Sequence, residues 1–294
     1  FEALANHRYA STTFAVEMNP LATVGRGTLV KRFASAQKSL DWLSNQCGSL
    51  PKVKRVLATH TRVLPKAGRV VIATGSSKAQ PIPNDTVQFV LTDPPYLGDV
   101  QYGELARLFH LWLSVYTPIA PANESAEAVP NSTRGTDVDF YQEAIASCLA
   151  ESQRTLASRG RMVLTFHNTK LVAWQALAGA LHDSGFDVCA MAVVYAENGT
   201  DLCKRNVNSM LHDLVLECCA RRRRPADVQI AVTPKSVAEK NLVAVGLALA
   251  AATRSGDAGE LPALYGSQLK RLGTTKRTLR EKWGRQRLMG RANP

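Results

Sequence analysis

Asp93 and Tyr96, separated by Pro94 and Pro95, are the residues of this chain best suited by type and spacing to do chemistry. They follow the run Val87 to Leu91, where Val87, Phe89 and Val90 are apolar, so Asp93 is expected where a buried strand ends. A carboxylate, two prolines and an aromatic ring in that place suit a planar amine. Asp93 can accept a hydrogen bond from an exocyclic NH₂, and the Pro94 carbonyl can accept the second N–H. The prolines stiffen the turn, and Tyr96 can stack on a ring. An enzyme that takes a base out of a helix and works on its amino group needs this set of groups. The bland alternative is a strand ending in an ordinary Pro-Pro turn.

The tetrad Asp93-Pro94-Pro95-Tyr96 resembles motif IV of the S-adenosylmethionine (SAM)-dependent amino-methyltransferases. The tract from Asp93 to Leu113, with its Gln101-Tyr102-Gly-Glu104-Leu step and aromatic helix, is similar to one family of adenine-specific DNA methylases, many of them found beside bacterial phage-defence genes. A second block fits the same family: Glu151 to Arg154, Gly160 to Asn168, Trp174, Ala180-Leu181 and Gly185-Phe186. The resemblance covers roughly residues 87 to 220. It implies methylation of N6 of adenine, or N4 of cytosine, with SAM as cofactor, DNA as partner and other defence-system proteins as further partners. An RNA amino-methyltransferase and a nucleic-acid-binding subunit without turnover are the alternatives.

The resemblance also implies site residues. The catalytic set is Asp93, Pro94, Pro95 and Tyr96. The segment Phe14 to Ala22 looks like the strand whose terminal acid binds the SAM ribose, which makes Glu17 the ribose ligand with Asn19 nearby. The Gly-rich SAM loop is then expected upstream of Phe1, because Thr23-Val-Gly-Arg-Gly-Thr28 follows Pro20 and no strand end. Asp85, ahead of the motif IV strand, is placed near the SAM adenine. Asp99, Gln101, Tyr102, His167 and Asn168 are the candidate substrate-binding residues, although Asp99 could equally cap a helix and His167 could be structural. Tyr195 to Asn198 ends a further strand and could touch substrate.

Composition sets the limits. A chain of 294 residues, 45% hydrophobic and 20% charged, can bury a substantial core. No apolar run reaches the roughly 18 residues that span a bilayer, and the opening residues form no secretory signal, so a cytoplasmic protein away from membranes is expected. The formal charge of +12 suits a polyanion. The excess gathers at Arg221-Arg-Arg-Arg224 and in the tail from Lys270 to Arg291, the two places expected to meet DNA. The six cysteines show no metal-binding spacing, so no metal is expected and all six read as reduced thiols.

These residues need elements to carry them. Thr13 to Val16, Arg69 to Ala73, Val87 to Leu91, Arg161 to Phe166, Asp187 to Val194 and Leu211 to Cys219 read as strands. Leu29 to Gln46, Tyr102 to Tyr116, Asp139 to Ala157, Ala173 to Ser184 and Val237 to Thr253 read as helices. Alternating strands and helices imply an α/β fold with a doubly wound sheet. The resemblance makes it a Rossmann-like methyltransferase sheet, mostly parallel, with an antiparallel edge strand. Residues 1–224 form the expected methyltransferase domain, with the loop 117–138 as candidate target reader. Residues 225–294 form an expected basic, mainly helical appendage.

Overall fold

The computed structural model describes residues 29–48, 54–58, 69–73, 75–97, 101–115, 123–196 and 211–279. They fall into two units. The first holds helix α1 (Leu29–Cys47), strands β1 (Lys54–Ala58) and β2 (Arg69–Ala73), and helix α2 (Tyr102–Leu113). The two strands pair in parallel, with Lys54 opposite Arg69. The helical period seen in sequence thus holds for α1 and α2, while β1, five residues without alternation, gave no local signal.

The second unit carries the larger core. Its elements are β3 (Val87–Thr92), α3 (Val138–Thr155), β4 (Leu156–Phe166), α4 (Leu171–Asp183), β5 (Phe186–Tyr195), β6 (His212–Ala220), β7 (Gln229–Ile230), α5 (Val237–Ser255) and α6 (Leu261–Arg271). They make an α/β fold around a five-stranded mixed sheet in the order β3-β4-β6-β5-β7. Four strands run one way; β6 is reversed. The antiparallel strand expected at the edge therefore lies inside, between β4 and β5, and the edge is the two-residue β7.

One face of the sheet is dry. Met162, Leu164 and Phe166 of β4 stand opposite Cys218, Leu216 and Leu214 of β6, and all six are fully buried. Helix α5 lies over this face, packing on β5, β6 and α4. The approach is close: a Cβ at Gly246 would fall 2.7 Å from Leu214 Cδ2 and 2.8 Å from Met191 Sδ. Helices α3, α4 and α5 pack side by side as one layer. The other face, bearing Thr165, Val163, Val215 and Glu217, is half-buried, and on β3 it exposes Phe89 and Leu91. Among the described residues of this unit, the second helix layer of a doubly wound sheet is not seen.

Three further expectations change. The stretch after residue 225 is no separate appendage in this unit: β7 extends the sheet, and Leu242, Val245, Leu249, Leu261, Tyr265 and Leu269 join the common core. The segment before α3 is not a shapeless loop. Asn131 caps the short 3₁₀ turn Ser132–Arg134, bridges to Thr136 and closes on Gly135, whose φ of 68° suits glycine. Finally, Cys189 and Cys219 form a disulfide rather than two thiols. Their partner strands are adjacent, and Cys189 sits at the register shift between Val188 and Ala190. Cys218 stays a buried thiol, its pKa pushed up by desolvation. No helix among the described residues is long and apolar enough to cross a membrane.

Candidate active site

The parallel strands β3 and β4 end at the same edge of the sheet, and β6, being reversed, begins there. In α/β sheets this carboxyl edge is the usual ligand-binding place. Thr92 pairs with Leu164, so Asp93 emerges beside Thr165. The Thr165 hydroxyl donates to Asp93 Oδ1 at 2.7 Å, and the Tyr96 hydroxyl donates to the same oxygen at 2.9 Å. Asp93 is exposed, and its Oδ2 takes no hydrogen bond from the described residues. One oxygen of the exposed carboxylate is thus held in place while the other takes no bond from the described residues.

The turn after Asp93 is pinned from two sides. Tyr141 of α3, fully buried, donates its hydroxyl to the Pro95 carbonyl at 2.8 Å. Asn168, just past β4, donates to the Leu97 carbonyl at 3.3 Å. The Pro94 carbonyl receives no hydrogen bond among the described residues, and Pro94 itself is buried. Tyr96 is half-buried. Its ring meets Phe166 edge-on at 5.6 Å and tilts over His167 at 4.4 Å. The ring that the sequence suggested as a free stacking surface is partly spent on the protein.

His167 brings a partner that sequence reading missed. Its Nδ1 lies 2.6 Å from Asp213 Oδ1, with both side chains largely buried. A carboxylate on Nδ1 favours the tautomer with Nδ1 protonated and turns Nε2 into an acceptor. Asp213 is 46 residues away in sequence and reaches the site only because β6 starts where β4 ends. The legible signal was the apolar run of β6 with a single acid at its start; its reversed direction could not be read locally.

Other candidates stand elsewhere. Asn168 is fully buried, its amide spent on the Leu97 carbonyl and the Lys170 N–H, and its own carbonyl takes the Trp174 Nε1–H at 2.9 Å. It braces the turn from within and has no exposed surface. Gln101 is tied to the Pro130 carbonyl, Asn131 and Arg134, which makes it an anchor of the segment before α3. Asp85, with a left-handed φ of 56°, sits at the start of β3. That is about 25 Å from Asp93 at roughly 3.3 Å per residue, so the two cannot share a site. There the Arg154 guanidinium, paired with Glu151, clamps the Ile82 carbonyl and Asn84. Tyr102 opens α2 in the first unit. Tyr195 is exposed and meets His212 edge-on. Glu17, Asn19, Asp99, the Thr23–Thr28 glycines, residues 197 and 198, and the tail beyond Leu279 lie outside the described residues.

Near the same edge, Ser236 and Glu239 form a capping box at the start of α5. The Ser236 and Lys235 backbone N–H groups, at 2.9 and 2.6 Å, hold the Glu239 carboxyl below its ordinary value of 4.5. A carboxyl whose folded pKa is lowered stabilises the fold fully above its unfolded pKa, and that stabilisation is lost as pH falls through the folded value. Acidification below about pH 4.5 should therefore loosen the α5 cap, and Glu239→Gln should flatten that part of the stability–pH curve. Urea unfolding at a series of pH values reads this directly; identical curves for both proteins would refute it.

No family model matches this chain, and no curated protein sequence matches it significantly.

Proposed function

We propose that this protein methylates the exocyclic amino group of a DNA base, N6 of adenine in preference to N4 of cytosine, with the base turned out of the helix. The observation that carries the reading is the Asp93 carboxylate at the end of a parallel strand, braced on one oxygen by Thr165 and Tyr96 and open on the other. The α/β sheet with one reversed strand is consistent with it.

SAM, when bound, supplies an electrophilic methyl group. Glu17 and Asn19 would hold it; Asp85 does not fit that role from the far end of β3. The chain's own residues do the rest. Asp93 Oδ2 and the Pro94 carbonyl accept the two amine N–H bonds, which draws the nitrogen lone pair out of ring conjugation and makes it a nucleophile. The carboxylate offsets the positive charge that develops on nitrogen. Transfer would form the N–CH₃ bond as the S–CH₃ bond of SAM breaks and the thioether leaves; the N–H proton then shed by the nitrogen has two acceptors in Asp93 Oδ2 and His167 Nε2, whose ring Asp213 holds in place. The exposed part of Tyr96 supports the base from the side.

Tyr96→Phe should keep the ring contacts and lose one donor to Asp93, lowering turnover roughly tenfold, about one hydrogen bond's worth, with DNA affinity unchanged. Equal loss of affinity would show that the hydroxyl meets DNA instead. The test of the function itself is transfer of labelled methyl from SAM to duplex DNA, followed by nuclease digestion. Labelled N6-methyladenine supports the proposal. Label on RNA alone would move the activity to RNA, and no label together with no SAM binding would make the chain a binding subunit.

A further inference from the structure

Arg221 to Arg224 form one basic block in sequence, but the structure divides it. Arg221 donates to the His182 carbonyl, and Arg224 lies 3.5 Å from the buried carboxylate of Asp187. Those two serve the fold. Arg222 and Arg223, on the short turn Arg221–Arg223, instead line an open cleft of about 600 Å³ together with Arg159 and Arg161.

Strand pairing explains the convergence. Met162 stands opposite Cys218 in antiparallel register, so the start of β4 runs beside the chain that leaves β6. Arg159 and Arg161, two residues apart on a strand, project to the same face. Glu217, 3.0 Å from Arg161, is the acid paired there. The side chains of Arg159, Arg222 and Arg223 make no ion pair or hydrogen bond with the described residues, and all three are exposed. Four guanidinium groups beside one carboxylate repel one another, and an anion reverses that cost. Their planar forks match phosphate oxygens in pairs. The cleft is large for a single phosphate and suits a run of them, and the chain's +12 charge favours a polyanion.

We propose that this cleft grips backbone phosphates of nucleic acid, at a place separate from the Asp93 edge. Thr165, which touches Asp93, is four to six residues along β4 from Arg161 and Arg159, about 13 to 20 Å at roughly 3.3 Å per residue. The cleft therefore holds backbone that flanks the reacting base, about four to six base pairs away at 3.4 Å each. This grip stands whether or not Asp93 supports methyl transfer.

The test is binding of the full chain to a labelled duplex of about 20 base pairs, read by anisotropy between about 50 and 200 mM salt. Each phosphate contact contributes about 0.9 to the slope of log affinity against log salt. Arg222→Gln with Arg223→Gln should lower the slope by about two and weaken binding about tenfold, and Arg159→Gln should lower it by about one. Lys38→Gln with Lys78→Gln, the same charge loss at exposed lysines outside the cleft, should do distinctly less. An equal drop for the lysine pair, or no drop for the cleft pair, overturns the proposal. So does a cleft that binds inorganic tripolyphosphate without competition from the duplex. Because the variant residues are exposed, unchanged thermal unfolding is expected of them.

Discussion

Asp93→Ala should reduce methyl transfer by at least about a hundredfold, the usual loss when a group that meets developing charge is removed, while duplex binding remains. The reason lies in what surrounds the carboxylate. Thr165 and Tyr96 fix Oδ1 and so aim Oδ2, and alanine removes both the aimed acceptor and the charge. Asp93→Asn should retain an oxygen for Thr165 and Tyr96 but present a neutral group outward, leaving an intermediate rate. The measurement is single-turnover transfer of labelled methyl to duplex DNA, with binding followed in parallel by anisotropy. Full turnover in Asp93→Ala would remove this carboxylate from the chemistry. Loss of binding along with turnover would make Asp93 a docking residue. Asp213→Asn, by weakening the hold on His167, should slow the same step and leave binding intact; an unchanged rate would take His167 out of the proton transfer.

Trp174→Ala should cost about 3–5 kcal/mol of folding stability, as for other fully buried large aromatics. Trp174 has no exposed surface. Its ring meets Phe166 edge-on at 4.9 Å, and Phe166 in turn carries Tyr96. Its Nε1–H donates to the Asn168 carbonyl at 2.9 Å, at the point where the chain leaves β4. One side chain thus supports both the aromatic stack behind the site and the turn that ends in α4. Trp174→Phe keeps the ring contact and loses the hydrogen bond, so it should cost about 1–3 kcal/mol. Urea unfolding gives both numbers; a cost below about 1 kcal/mol for alanine would mean that the cavity collapses and the stack is not braced here.

Much of the fold was legible because its signals are local. The helical period of Leu29–Cys47, the β-branched run of β2 and the glycine after α4 each act within a few residues. Gly185 closes that helix because its φ of 79° disfavours a side chain. Strand β1 was missed for the converse reason: five residues with no alternation carry no period. The disulfide was missed because spacing along the chain says nothing about two cysteines on adjacent strands.

By itself the sequence determined the alternation of strands and helices, the end of a strand at Asp93 and a surplus of positive charge. Each depends on residue type and on neighbours a few positions away. Tertiary structure decided which residues meet. It set β6 between β4 and β5, brought Asp213 to His167 and Thr165 to Asp93, buried Asn168, sent Asp85 to the far end of β3, and split the arginine block between fold and cleft. Strand pairing joins segments tens of residues apart, and its order and direction follow from which faces bury together, a property of the whole core that no local pattern contains.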